Sequence, residues 1–147
     1  MRLEQVADTA TQDVVRQMLE DEGLVSCDLD DDGIDLLVLR DGITVVACGG
    51  LENFGECALL RSLVVRREWR GRGIAVMLLA ALEDAARQRG ARTAYLLTSG
   101  AERYFQRQGY ASVARASVPA AIAASRQFSS LCPASAACMR KDLAPQT

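Results

Sequence analysis

The sequence predicts one α+β domain, and three observations lead there. Short runs rich in β-formers and punctuated by turn residues come first, then a long amphipathic helical stretch, then more short strands and helices. A chain of 147 residues has room for one core but not two, so residues 1–147 are expected to form a single domain. No segment repeats.

Leu3 to Val6 is expected to be a short first strand. Thr9 with Gln12 has capping-box spacing, and Val14, Val15, Met18 and Leu19 recur at helical intervals before Gly23, a helix stop. Asp28 to Asp32 with Gly33 reads as a solvated acidic loop. Leu36 to Leu39 and Ile43 to Ala47 flank Asp41-Gly42, a two-residue hairpin signal. A second turn is expected around Asn53-Phe54-Gly55, leading into a strand from Ala58 to Val65. Ala75, Leu78, Leu79, Leu82, Ala85 and Ala86 then form a buried helical stripe, with Glu83 and Arg87 as an exposed i, i+4 pair and Gly90 at the C-terminal end. Tyr95 to Leu97 is a buried strand. Ser99 with Glu102 predicts a second capping box, opening a short helix that ends at Gly109. Val113 lies in a strand, Pro119 opens a helical segment through Ala124, and Ala136 to Met139 forms a last strand.

Composition narrows the function. Half of the residues are hydrophobic and 24% are charged, as in a globular protein, and the net charge of −2 argues against a nucleic-acid partner. The stretch from Met1 to Val6 lacks the apolar core of a secretory signal, and no apolar run approaches the ~20 residues of a membrane-spanning helix. A cytoplasmic protein without a membrane partner is expected, its oligomeric state left open, a homodimer included. The five cysteines, Cys27, Cys48, Cys57, Cys132 and Cys138, contain no Cys-x-x-Cys pair, and histidine is absent. No metal site is expected, and Ser-His or Cys-His nucleophilic mechanisms are excluded.

The chemistry concentrates between the strand ending at Val65 and the long helix. Arg70-Gly71-Arg72-Gly73-Ile74-Ala75 stands where a helix start leaves backbone N–H groups without intrahelical partners and the macrodipole favours anions. Glycines remove the Cβ atoms that would keep a phosphate from the backbone, and Arg66, Arg67, Arg70 and Arg72 add positive charge. A P-loop would need Gly-Lys-Ser/Thr, and a dinucleotide site would need an acid ending the next strand, where this chain has Leu96-Leu97-Thr98. A phosphate or pyrophosphate ligand is expected, against the plain alternative of an ordinary loop.

Leu63-Val64-Val65 followed by Arg70-Gly71-Arg72-Gly73-Ile74-Ala75 resembles motif A of the GNAT acetyltransferases, Gln/Arg-x-x-Gly-x-Gly/Ala. Tyr104-Phe105-Gln106-Arg107-Gln108-Gly109-Tyr110 resembles their motif B. The resemblance implies a twisted, mostly antiparallel mixed sheet flanked by helices and split into a V between the strands carrying Leu63 and Leu96. Acetyl-CoA would lie in the split as co-substrate, with pantetheine on Leu63, Val64 and Val65 and pyrophosphate on Arg70, Gly71, Arg72, Gly73, Ile74, Ala75 and Val76. A backbone N–H near Leu63 or Val64 would polarise the thioester carbonyl, and a small-molecule amine would attack directly. Phe128 to Ala136 with Met139-Arg140-Lys141, together with Leu96-Leu97-Thr98, looks like the ArsN-type arsenic-resistance acetyltransferases and, more distantly, the acetyltransferase domain of N-acetylglutamate synthase. An amino-acid-like acceptor is implied, such as an arsenic-containing or phosphinic glutamate analogue.

The family's acid is a tyrosine five residues before the terminal aromatic of motif B, and that position is Phe105 here. Tyr104, one residue earlier, is the candidate acid or else a packing aromatic. Leu59 replaces the glutamate that many relatives carry, leaving Glu52 and Glu56 as candidate bases or solvated turn charges. Arg61 interrupts an apolar strand; it either binds an acceptor carboxylate or keeps its head in water at an edge. Peptide or protein acetylation and a non-catalytic acetyl-CoA-binding module are the competing functions.

Overall fold

The computed structural model describes residues 1–24, 26, 33–125, 128 and 136–143. The expected acidic loop at Asp28 to Asp32, Cys27, Cys132 and the stretch from Ser129 to Ser135 lie outside the described residues. In chain order come β1 (Arg2–Gln5), α1 (Thr9–Asp21), β2 (Ile34–Asp41), β3 (Thr44–Phe54), β4 (Cys57–Val65), α2 (Ile74–Gln88), β5 (Thr93–Thr98), α3 (Glu102–Arg107), β6 (Ala111–Val113), α4 (Ala120–Ala123) and β7 (Ala137–Asp142). The strands hydrogen-bond in the order β1-β2-β3-β4-β5-β7-β6. β1–β2, β2–β3, β5–β7 and β6–β7 are antiparallel and β4–β5 is parallel, so the sheet is mixed and the class is α+β.

The chain forms two compact units. The first comprises residues 1–52 and 60–84, the second residues 53–59 and 85–147. In the first, β2 is apolar on both faces. Leu36 and Val38 pack with Val15, Met18 and Leu19 of α1. Leu37 and Leu39 pack with Ile74 and Leu78 of α2. Because strand side chains alternate, a strand with a helix on each face reads as a continuous apolar run. In the second unit, Leu59, Tyr95 and Cys138 of three neighbouring strands pack with Ile122 and Phe128. β4 pairs Cys57, Ala58 and Leu59 with Thr93, Ala94 and Tyr95 there.

Several boundaries differ from expectation. Asp8, not Thr9, caps α1: its Oδ1 accepts from the Thr11 N–H at 2.7 Å, because a carboxylate reaches the third residue of the turn as well as a hydroxyl does. Ser99 caps nothing; α3 begins after Ala101 without a side-chain cap. The β2–β3 turn falls on Gly42-Ile43, with Asp41 paired to Thr44. Gly42 alone of the two has positive φ, the sign pattern of a type II′ turn with glycine first. The next turn lies at Gly55-Glu56, since β3 runs on to Phe54. Glu83, expected exposed, is buried, as are Leu79, Leu82 and Ala86 of α2. Gly90 does close α2: its N–H bonds to Arg87 O and the Ala91 N–H to Ala86 O.

Candidate functional site

The cradle is built in the first unit. β4 ends at Val65, a short 3-10 turn spans Arg67–Trp69, and α2 begins at Ile74. The first intrahelical bond runs from Met77 N to Gly73 O at 3.2 Å, which makes Gly73 the capping residue. Gly71 and Gly73 have φ of 77° and 76°, a conformation that residues with a Cβ adopt at a cost. A Cβ built on either would meet nothing within 4 Å. The backbone there faces open space and needs glycine for its conformation. Ile74 is buried against Val46 and Val65, so it offers a ligand its backbone only, whereas the side chains of Val76 and Met77 are exposed. An open, glycine-lined helix start with arginines beside it fits a pyrophosphate.

The four arginines are not equivalent. Arg66 Nε donates to Val45 O at 2.6 Å. Arg70 Nε donates to Val65 O at 2.9 Å while its Nη2 meets Glu22 Oε1 at 2.7 Å. Arg67 Nε lies 3.9 Å from the same carboxylate oxygen. Arg72 stacks on the Trp69 ring, 4.7 Å from its centroid. Two of the four are thus tied to strand carbonyls. Glu22 and Trp69 were missed from sequence; Trp69, the single tryptophan, was the available signal.

A second constellation crosses β3 and β4 in the same unit. The Arg61 side chain is completely buried; its Nη1 meets Glu52 Oε1 at 3.2 Å, and its Nε donates to Ser62 Oγ at 3.1 Å. The reading of Arg61 as an edge residue with its head in water is therefore wrong: Gly50 makes the room. A Cβ on Gly50 would stand 3.1 Å from Arg61 Cγ and 3.4 Å from Leu36 Cδ2. Ser62 has φ of 60° within the strand, the only positive value among described residues other than glycine. Neighbouring strand side chains normally point to opposite faces, and this twist lets Arg61 and Ser62 meet. It also lets Arg61 share the Leu36 side of the sheet with Val64, three residues on. Strain of this kind is held by surrounding structure and gathers at functional sites.

Beside Leu63 and Val64, the two backbone donors expected to polarise a carbonyl, Cys48 Sγ donates to Ser62 O at 3.5 Å. Burial pushes the Cys48 thiol up to about 12, so it stays a neutral core group. Tyr104 belongs to the second unit, its ring edge-on to Phe105 with centroids 5.2 Å apart and its hydroxyl oxygen shielded from solvent. Phe105, in the place of the usual acid, is buried between Tyr104 and Tyr110. Glu56 is exposed in its turn. Among the described residues no group of three or more His, Cys, Asp or Glu side chains could hold a metal ion. No helix among them is long and apolar enough to cross a membrane.

Known structures share this architecture. N-acetylglutamate synthase from Neisseria gonorrhoeae, solved with coenzyme A and L-arginine, matches with a TM-score of 0.77 and 15% identity over 96% of this chain. The match covers 33% of that protein, so the present chain spans about a third of its length. Tetrahymena GCN5 matches with a TM-score of 0.80 and 12% identity, covering 100% of this chain and 99% of that one. An aminoglycoside 6'-N-acetyltransferase complexed with coenzyme A matches with a TM-score of 0.74 and 15% identity over 100% and 99%. No curated protein matches the sequence. The model of the acetyltransferase (GNAT) family matches residues 3–110, well over half the chain, cradle and motif B included. The chain therefore belongs to the acetyltransferase (GNAT) family.

Proposed function

We propose that residues 1–147 act as one cytoplasmic domain that transfers the acetyl group of acetyl-CoA to the amine of a small amino-acid-like acceptor, such as an arsenic-containing or phosphinic glutamate analogue. The observation that carries this reading is the buried Arg61–Glu52 pair, in the same unit as the cradle. Arg61 is completely buried and fixes the Glu52 carboxylate, which keeps some exposure and draws the acceptor ammonium. Gly50 and the twist at Ser62 exist to admit that pair, which an apolar strand would not need. The similar Neisseria protein is a synthase of N-acetylglutamate, an acetylated amino acid, which supports the acceptor class. Cys48, Cys57 and Cys138 are free thiols, which supports a reducing compartment.

The roles are those that the family resemblance implies. The backbone of Leu63, Val64 and Val65 pairs with pantetheine, and residues 70–76 hold pyrophosphate. Acetyl-CoA supplies the activated thioester. Glu52 takes a proton from the acceptor ammonium, freeing the nitrogen to form the new C–N bond as the C–S bond breaks. A backbone N–H of Leu63 or Val64 donates to the carbonyl oxygen as negative charge develops there. Tyr104 protonates the departing thiolate.

The test is acetyl-CoA-dependent thiol release against a panel of amino acids, glutamate analogues and peptides. A small amino-acid-like acceptor should be turned over, and Glu52→Gln and Tyr104→Phe should each lower kcat by ~10²–10⁴, with KM little changed for Tyr104→Phe and raised for Glu52→Gln. Turnover of peptides alone would replace the acceptor class, and binding without turnover would make the chain a non-catalytic module. A Tyr104→Phe kcat within about threefold of wild type removes that residue from the chemistry, leaving the thiolate to depart unassisted.

A further inference from the structure

The last turn of α1 carries Glu20, Asp21 and, at the cap, Glu22, with no basic residue. Helix C-termini disfavour carboxylates, so this ending breaks a local rule. The compensation lies across the unit, in the rim of the cradle. Glu22 Oε1 takes Arg70 Nη2 at 2.7 Å and lies 3.9 Å from Arg67 Nε. Both partners are held in place. The end of α1 is closed by Gly23 N to Glu20 O and Leu24 N to Leu19 O, and Arg70 is pinned by its Nε to Val65 O. Local rules are broken most often where function demands it.

Resting on the assignment of acetyl-CoA to the cradle, we infer that Glu22 is the cradle's resident counter-ion and sets its affinity for CoA. In the ligand-free chain the carboxylate occupies the guanidinium groups of Arg70 and Arg67. CoA brings phosphate charges to the same rim, and both arginines have enough exposed surface to be reached. Phosphate and carboxylate compete for the same donors, and binding exchanges one anion for the other. A residue that merely braced the loop would have the opposite effect: its loss would weaken CoA, whereas loss of a competitor strengthens it. The direction of the change separates the two roles.

The experiment is calorimetric titration with CoA of wild type, Glu22→Gln and Asp21→Asn. Asp21 lies one residue away and accepts from Gln17 Nε2 at 2.8 Å, so its substitution removes the same charge without touching an arginine. Glu22→Gln should bind CoA about two- to fivefold more tightly, the scale of one exposed ion pair, and Asp21→Asn should change affinity by less than half as much. Unchanged or weaker binding by Glu22→Gln overturns the inference, and so does equal strengthening by both variants. Glu22→Ala repeats the measurement if the glutamine variant folds poorly. Gly73→Asp keeps the two readings apart: if that variant binds CoA like wild type, the cradle itself is misplaced, whatever Glu22 does.

Discussion

Arg61 and Arg70 lie nine residues apart and each meets a glutamate, yet the two pairs do different work. Arg61 is sealed in the sheet, its stem over Gly50 and its head on Glu52 and Ser62. Arg70 stands at the rim of an open turn, half in water. A buried pair cannot lose one member cheaply, because the survivor stays desolvated; a rim pair can, because water replaces the partner. Burial therefore makes one pair a fixed part of the fold and leaves the other able to exchange its anion.

The largest expected effect tests the buried side of this contrast. Arg61→Ala should cost about 3–5 kcal/mol in denaturant unfolding, as for other broken buried pairs, and below its melting temperature should raise acceptor KM about ten- to a hundredfold. An unfolding midpoint equal to that of wild type would erase the distinction. Next comes Gly73→Asp at the open turn. Nothing within 4 Å obstructs a new side chain, and the positive φ costs an aspartate only about 1–2 kcal/mol, so the protein should fold, but backbone access and the favourable terminus are both compromised. CoA affinity should fall at least about tenfold, read by calorimetry. Arg72→Ala, which removes a guanidinium stacked on Trp69, should change stability by less than about 1 kcal/mol and weaken CoA modestly.

The smallest effect concerns Asp8, a carboxylate neither sealed nor exchangeable. The Thr11 backbone N–H, helped by the Thr11 hydroxyl, holds its carboxyl below the ordinary 3.8. A lowered carboxyl pKa contributes stability that is present above the unfolded value and lost as pH falls through the folded one. Asp8→Ala should therefore lower Tm by a few degrees at neutral pH, and the gap from wild type should close as pH falls below the usual aspartate range. A gap that persists at acid pH would assign the loss to packing.

The features legible in the residues alone were local and periodic. The inward stripe of α2, the glycine that closes it and the turn Arg70-Gly71-Arg72-Gly73 are each set by residues a few positions apart, so spacing and glycine chemistry suffice to read them. Caps were less secure, since Asp8 and Thr9 are both good capping residues and backbone geometry chooses between them. Glu83 was misjudged because a helical wheel reports which face a residue occupies and not how wide a surface packs against it. The rest needed the tertiary structure. Glu52 meets Arg61 only because β3 and β4 are neighbours and Gly50 leaves a gap between them. The twist at Ser62 has no sequence signature, since serine gives no warning of a positive φ inside a strand. Glu22 and Arg70 are far apart in the chain, and only folding brings a helix end to the rim of a glycine turn. Charge pairing at such separations is decided by where the backbone carries the residues, which local rules do not encode.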